Sequence, residues 1–130
     1  SPEQRRTYAS GNRVPVLLAA DGKPLRRNFV HVEDLVSAML APLGNPAASQ
    51  QLFNIAMTRP VDYREVAQHL ETRGMRGVEI ETPFHSNALD NAKARHLLDW
   101  TPQYDLARLI DAAFDYQRAA GDPRKVWYPG

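Results

Sequence analysis

The chain lacks cysteine entirely over its 130 residues. Disulfide bonds, thiolate nucleophiles and cysteine-ligated metal sites are therefore excluded, and such a composition is typical of a protein of the reducing cytoplasm. The chain also lacks any apolar run near the roughly 20 residues that a membrane-spanning helix needs. Its polar N-terminal residues do not resemble a signal peptide. These absences predict a cytoplasmic protein without a membrane partner.

An excess of one charge is missing as well. The 16 Lys and Arg residues nearly balance the 15 Asp and Glu residues, which leaves a formal net charge of +1. Arg5-Arg6 and Arg26-Arg27 are isolated doublets rather than parts of a basic stripe. Proteins that bind nucleic acids carry a concentrated positive surface, so we expect no nucleic-acid partner.

Glycine-rich loops and metal-ligand clusters are absent too. The glycines are scattered singly, so no G-x-G-x-x-G loop follows a strand to hold the phosphates of a dinucleotide. We therefore expect this chain to bind no cofactor by itself. Its histidines lack the spacing of a zinc site, and no G-x-S-x-G segment indicates a serine nucleophile. The sequence predicts no metal site and no catalytic residue in this chain.

Helical periodicity is present in several stretches. One apolar face formed by Val32, Leu35, Val36, Met39, Leu40 and Leu43 predicts a helix from about Val32 to Leu43. Further helices are expected to begin after Asp62, Asp90 and Asp105, because a side-chain carboxylate at that position accepts hydrogen bonds from the first free backbone N–H groups.

Three β-like runs are also present in the sequence. They cover Val14–Ala20, Gln51–Met57, which is predicted as a short buried strand, and residues 78–82, in which Val78 and Ile80 are expected to face the core. Together these elements predict a single α/β domain over residues 1–130, with few short strands and about four helices.

The stretch from Arg26 to Asp34 joins a cation to a helix start. Arg27 stands just before the short apolar run Phe29-Val30, and a guanidinium there offers a rigid fork of donors suited to a phosphate or carboxylate ligand. The residues alone leave a second interpretation open, in which these arginines only pair with Glu33 or Asp34 at the surface. Arg27 is a ligand contact in the first interpretation and an ordinary surface residue in the second.

Four segments resemble motifs of one known family. Arg27-x-Phe29-Val30-His31-Val32-x-Asp34 is similar to the R-D-[FY]-[VI]-H-V-x-D signature in the C-terminal part of the extended short-chain dehydrogenase/reductases, the NAD-dependent epimerase/dehydratase family. The other segments follow in the family's order within residues 11 to 120. They are Val14-Pro15-Val16-Leu17 before Asp21-Gly22, Phe53-Asn54-Ile55, and Asp90-x-x-Lys93-Ala94 with Leu97-Leu98-Asp99-Trp100-Thr101-Pro102.

The resemblance implies the substrate-binding portion of an NAD(P)-dependent sugar or nucleotide-sugar epimerase, dehydratase or reductase. The family's N-terminal Rossmann domain is expected to be absent from this chain, and NAD or NADP is expected in the full-length protein. The family's catalytic Tyr-x-x-x-Lys pair is also missing, since the residues four places after Tyr8, Tyr63, Tyr104 and Tyr116 are Asn12, Ala67, Arg108 and Ala120. The chain alone is therefore expected to be inactive.

The resemblance also implies site residues. In the family, the Arg matching Arg27 contacts the phosphates of a nucleotide-sugar, and the backbone of the strand matching Pro15-Val16-Leu17 lies along the nucleobase. A second phosphate-binding Arg usually precedes the D-x-S-K helix, but this sequence has Glu81-Thr82-Pro83-Phe84-His85 there. That departure favours a smaller sugar, a sugar acid or another carbonyl or alcohol compound. His85, Ser86 and Asn87 are then candidate substrate contacts, or else ordinary loop residues.

Two expectations concern partners. Family members thread the strand matching Phe53-Asn54-Ile55 into the sheet of the cofactor domain, so the resemblance implies that this chain alone exposes a strand edge and apolar surface. Self-association of the isolated chain is a reasonable consequence. The alternative function is a non-catalytic metabolite-sensing or scaffold module of the same fold.

Overall fold

The computed structural model describes residues 12–116, which form four helices, four short strands and one 3-10 turn at Pro46–Ala48. In chain order the strands and helices are β1 (Arg13–Leu18), β2 (Arg26–Arg27), α1 (Val32–Leu40), β3 (Val61–Asp62), α2 (Tyr63–Glu71), β4 (Arg76–Glu81), α3 (Ala92–Leu98) and α4 (Leu106–Asp115). β1 pairs with β4, and β2 pairs with β3. The predicted class, a small α/β domain of short strands and about four helices, is confirmed.

The larger core lies where α2 packs on the β1–β4 pair. The two strands run parallel, with Arg13 opposite Arg76 and Leu18 opposite Glu81. Strand side chains alternate between two faces, so every second residue of β1 is buried on the side of α2. The members of this buried cluster are Val14, Val16, Leu18, Ala67 and Leu70.

Strand β4 is oriented differently from the prediction. Val16 lies opposite Glu79 in the register, so the odd-numbered residues of β4 share the face that α2 covers. Glu79 is tolerated beside the helix because it forms an ion pair with Arg64 of α2. The prediction that Val78 and Ile80 face this core is therefore wrong, since both lie half-buried on the opposite face.

A second, smaller core forms around Trp100, in the loop that follows α3. The indole is only 4% exposed. Half-buried Phe53 and Ile55 pack against this cluster, which places the segment before β3 beside α1 and α3. The buried members of this second core are Ala38, Ala94, Leu98 and Trp100.

The buried carboxylate of Asp34 joins α1 to the loop before α4. Asp34 is 2% exposed, and its two carboxylate oxygens accept hydrogen bonds from the backbone N–H groups of Gln103 (2.8 Å) and Tyr104 (3.0 Å). The Nε1–H of Trp100 donates to the backbone carbonyl of Asp34 (3.2 Å). A buried carboxylate is stable only with such donors. One residue in the first turn of α1 thus fixes both the second core and the approach to α4.

The helix predicted from Val32 is confirmed, but its apolar stripe faces outward. α1 ends at Leu40 rather than near Leu43, and its buried residues are Asp34 and Ala38. The exposed fraction along the stripe runs from 39% at Leu35 to 73% at Leu43. A helix normally buries such a face against another layer, so the stripe marks a surface whose cover is not among residues 12–116.

The extended segment beside α1 also lacks a partner. The strand predicted at Gln51–Met57 is not formed within the described part of the chain, where Leu52–Ile55 makes no backbone–backbone hydrogen bond. Leu52 is 85% exposed. The predicted burial holds in part, because Phe53 and Ile55 pack half-buried on the second core whereas Leu52 does not. A strand forms only when a neighbour completes its hydrogen bonds.

A charged cluster helps to hold α4 against α2. The carboxylate of Asp111 accepts a hydrogen bond from Nη2 of Arg73 (2.6 Å) and lies 3.0 Å from Nε2 of His69. The guanidinium of Arg73 also lies 4.4 Å from the ring centre of Phe114. The hydrogen bonds from His69 and Arg73 lower the pKa of Asp111 below its ordinary value. The α2–α4 contact therefore favours the ionised form of Asp111.

Replacing Asp34 with Ala is expected to lower the free energy of unfolding by about 2–4 kcal/mol, because two backbone N–H groups lose a charged acceptor. Urea unfolding followed by circular dichroism measures this loss. Glu33→Ala is the matched control, since Glu33 precedes Asp34 but its side chain, within residues 12–116, bonds only the hydroxyl of Tyr104, and it should cost less than about 1 kcal/mol. Equal losses in the two variants would contradict the role given to Asp34.

The stability of the chain is also expected to depend on pH through Asp111. A lowered pKa means that the ionised carboxylate stabilises the fold above the ordinary value of 3.8, and that this contribution is lost as the pH falls through the lowered pKa. Asp111→Asn should therefore be less stable than the natural chain near neutral pH, with the difference narrowing in acid. Thermal unfolding across a pH series tests this, with Asp115→Asn on the same helix as the control. A difference that stays constant into acid would contradict it.

Candidate functional site

Arg26 and Arg27 form β2, and the alternation of a strand sends their side chains in different directions. The Nε of Arg26 lies 3.4 Å from a carboxylate oxygen of Asp62, which is in β3. Arg27 is half-buried and has no carboxylate partner within residues 12–116. The interpretation in which these arginines pair with Glu33 or Asp34 is therefore not what the structure shows.

The guanidinium of Arg27 contacts the loop Pro83–Leu89, which we call the strap. Its Nη1 donates a hydrogen bond to the backbone carbonyl of His85 (2.9 Å), and its central carbon lies 5.6 Å from the ring centre of Phe84. A guanidinium has five N–H donors. One is used by the strap within the described residues, so the others remain for a ligand.

The strap is tied to β2 and the residue after it by a series of hydrogen bonds. The backbone N–H of Arg26 donates to the hydroxyl of Ser86 (3.0 Å), and its carbonyl accepts from the N–H of Asn87 (3.3 Å). The side-chain amide of Asn28 donates to Oδ1 of Asn87 (3.0 Å) and accepts from the N–H of Leu89 (2.8 Å). The structure thus brings the predicted strap residues alongside Arg27.

The three predicted strap residues use their side chains differently. The hydroxyl of Ser86 and the side-chain oxygen of Asn87 are both engaged within the chain. The imidazole of His85 is exposed and makes no hydrogen bond to residues 12–116, where only the backbone carbonyl of His85 is used. Among the three predicted strap residues, His85 is therefore the one whose polar side chain has no partner in the described residues.

The strand predicted to lie along a nucleobase is β1, and it is joined to this site. Val16 is 3% exposed and lies under α2, so its side chain is not available to a ligand. Pro15 is exposed and Leu17 is half-buried, both on the opposite face. The carbonyl of Leu17 accepts the N–H of Leu25 (2.8 Å), which connects β1 to the segment leading into Arg27.

A cavity of about 350 Å³ lies elsewhere, between the loop before α2 and the loop before α4. Its wall includes the Arg59–Glu65 ion pair (2.9 Å) and Tyr104. Neither Arg27 nor the strap lines it. The sequence carried no signal for this cavity, because residues 57–61 and 102–106 are distant in the chain and meet only through the fold.

Tyr104 is a phenol in that wall, but its surroundings do not suit acid–base catalysis. Its hydroxyl donates to the carboxylate of Glu33 (2.7 Å), and its ring stacks on the imidazole of His31 with 3.6 Å between ring centres. The hydrogen bond to Glu33 raises the pKa of Tyr104 above its ordinary value. A tyrosine that exchanges a proton near neutral pH needs a lowered pKa, so the surroundings of Tyr104 do not favour such a role.

Residues 12–116 carry neither a metal-ligand cluster nor a membrane-spanning helix. No group of three or more His, Asp or Glu side chains in this range could hold a metal ion. Of the helices in the described range, none combines the length and apolar character needed to cross a membrane. What the described site offers to a ligand is the guanidinium of Arg27, the ring of Phe84 and the imidazole of His85.

Two named proteins are similar to this chain in sequence. Over 100 residues the chain is 33% identical to the UDP-glucose 4-epimerase of Mycolicibacterium smegmatis, an alignment that covers 71% of this chain and 31% of that protein. Over 112 residues it is 28% identical to the chloroplast stem-loop binding protein of 41 kDa b of Arabidopsis thaliana, covering 73% and 30%. The chain thus spans less than a third of the length of these relatives. No family model matches it.

A solved structure shows the same fold. A short-chain dehydrogenase/reductase superfamily protein from Agrobacterium tumefaciens, crystallised with bound NAD, superposes with a TM-score of 0.71 over 85% of this chain and 39% of that chain. Their sequence identity is 16%, so this likeness concerns the fold alone. The ordered motifs and the epimerase relative show that the chain belongs to the NAD-dependent epimerase/dehydratase family of extended short-chain dehydrogenase/reductases and corresponds to the C-terminal portion of its members.

Proposed function

We propose that this chain is the substrate-binding portion of an NAD(P)-dependent enzyme that epimerises, dehydrates or reduces a sugar or nucleotide-sugar. Arg27 contacts the anionic group of the substrate. An N-terminal Rossmann domain supplies the cofactor and the catalytic residues, and the 130-residue chain is inactive without it. The observation that carries the proposal is that Arg27, a half-buried residue, has no carboxylate partner for its guanidinium among the described residues.

The surroundings of Arg27 support an anion contact. A partly buried positive charge is costly unless a negative or strongly accepting group approaches it. The carbonyl of His85 accepts one hydrogen bond, and the ring of Phe84 adds a weak attraction to the guanidinium. The remaining N–H groups form a fixed fork that matches the spacing of phosphate or carboxylate oxygens.

The strap and β1 complete the proposed site. His85 offers a second polar contact, while Ser86 and Asn87 keep the strap in place through their hydrogen bonds. The backbone of Pro15-Val16-Leu17 is a further proposed contact, supported by its connection through Leu25 to the segment before Arg27. One guanidinium and one imidazole suit a single phosphate or carboxylate better than a diphosphate, so a sugar acid or a smaller sugar derivative fits the described residues best.

The outward faces described above form the contact with the cofactor domain. The backbone of Leu52–Ile55 has its hydrogen-bonding groups open, and the segment packs near α1, whose apolar stripe is exposed. A parallel sheet that lacks its neighbouring strands leaves such backbone groups open. A helix that normally covers the sheet then exposes its apolar face. In the isolated chain these surfaces favour self-association.

A second function on the same fold is a non-catalytic module that senses a metabolite or acts as a scaffold. One relative supports this second function, because that protein is named for stem-loop binding. The near-zero net charge of this chain does not favour a nucleic-acid partner. The coding sequence upstream of Ser1 discriminates between the two: a glycine-rich phosphate loop and a Tyr-x-x-x-Lys pair support the enzyme, and their loss supports the module.

Arg27→Ala in the full-length parent protein is expected to weaken binding of UDP-glucose or glucuronate about 10- to 100-fold, the effect of losing hydrogen bonds to a charged group. The affinity for NAD should be nearly unchanged. Isothermal titration calorimetry measures both. Arg26→Ala is the matched control, because Arg26 precedes Arg27 but turns to Asp62, and it should leave sugar binding nearly intact. An equal loss of sugar and NAD affinity would show that Arg27 is structural.

The isolated chain is expected to self-associate in a concentration-dependent manner. Val36→Lys combined with Met39→Lys should shift the association midpoint by more than about tenfold towards monomer, because two exposed apolar side chains of α1 are replaced by charges. Size-exclusion chromatography with light scattering measures this shift. Gln68→Lys with Glu71→Lys places two lysines at the same spacing on α2 as a control. A clean monomer of the natural chain at all concentrations would contradict the expectation.

A further inference from the structure

Asn28 occupies an unusual position, directly after Arg27 and between β2 and the strap. The side-chain amide of this half-buried residue acts at both ends: Nδ2 donates to Oδ1 of Asn87 (3.0 Å), and Oδ1 accepts the backbone N–H of Leu89 (2.8 Å). These bonds tie down the second half of the strap. The family signature has Asp at this position, whereas this chain has Asn28. The sequence alone predicted no role for this residue.

We infer that Asn28 is a positioning residue for Arg27. It fixes the strap so that the carbonyl of His85 and the ring of Phe84 hold the guanidinium in the orientation that receives the anionic group of the substrate. Asn28 itself does not touch the substrate. This inference rests on the proposed role of Arg27 as the anion contact.

The strap depends on such ties because it contains neither helix nor strand. Its first half is held by the bond from the N–H of Ala20 to the carbonyl of Phe84 (2.8 Å) and by the hydroxyl of Ser86. In its second half, the N–H of Asn87 makes a longer bond to the carbonyl of Arg26 (3.3 Å). The two bonds of Asn28 are shorter, so their loss should let the strap shift as one loop, including the His85 carbonyl and the Phe84 ring that contact Arg27.

The chemistry of the amide predicts which substitutions are tolerated. An aspartate at position 28 can still accept from the N–H of Leu89, and it can also accept from Asn87 once the side-chain amide of Asn87 turns over to present its nitrogen. A leucine has nearly the same size but offers neither donor nor acceptor. Asn28→Asp should therefore preserve the strap, whereas Asn28→Leu should release it.

The test uses the full-length parent protein with UDP-glucose and glucuronate as probes. Asn28→Leu is expected to raise KM about tenfold for the probe that the natural protein turns over, because the guanidinium is no longer held in place. Both kcat and the affinity for NAD should change little. Hydrogen exchange at the strap, followed by mass spectrometry, should accelerate in Asn28→Leu. Asn28→Asp should stay within about twofold of the natural protein in every readout.

The outcomes separate the two proposals. If Arg27→Ala has no effect on sugar binding, the proposed function and this inference both fail. If Arg27→Ala weakens binding while Asn28→Leu does not, or if Asn28→Asp behaves like Asn28→Leu, the positioning role alone is overturned. Should Asn28→Leu not fold, Asn87→Ala removes the exposed partner of the same contact. It should raise KM in the same direction with unchanged kcat, and an unchanged KM would overturn the inference.

Discussion

The fold depends on one buried carboxylate at the start of a helix. Asp34 is fully satisfied by backbone donors from the loop before α4, and its carbonyl accepts the indole N–H of Trp100. These contacts join segments that are about seventy residues apart in the sequence. Removing the carboxylate would leave buried donors without an acceptor, which costs more than an ordinary surface bond contributes. A polar contact therefore fixes the position of α1, while the apolar stripe of this helix stays exposed.

This contact brings together two of the signature motifs that lie far apart in the sequence. Asp34 belongs to the first motif and Trp100 to the last, and in the folded chain the two are in direct contact. His31 caps α1 by accepting the N–H of Glu33 (3.2 Å). Most of the signature thus builds the framework. Arg27 differs from these residues because its side chain contacts the strap rather than the second core. A ligand can approach it there.

Features that depend on neighbouring residues were predicted correctly, whereas features that depend on residues distant in the sequence were not. The carboxylates of Asp62 and Asp105 cap α2 and α4 as predicted, because a cap needs only neighbouring residues. Periodicity also identified which residues share a face of α1 and of β4. It could not say what covers that face, so the outward stripe and the position of Val78 were missed. The ties from Asn28 to the strap were invisible for the same reason, since they cross about sixty residues.

The most direct measurement is a crystal structure of the full-length parent protein with a sugar or nucleotide-sugar bound. A phosphate or carboxylate oxygen of the ligand is expected within about 3 Å of the guanidinium of Arg27, with the strap in place beside it. A ligand bound elsewhere, with Arg27 turned to solvent, would contradict the account even though membership of the family would stand.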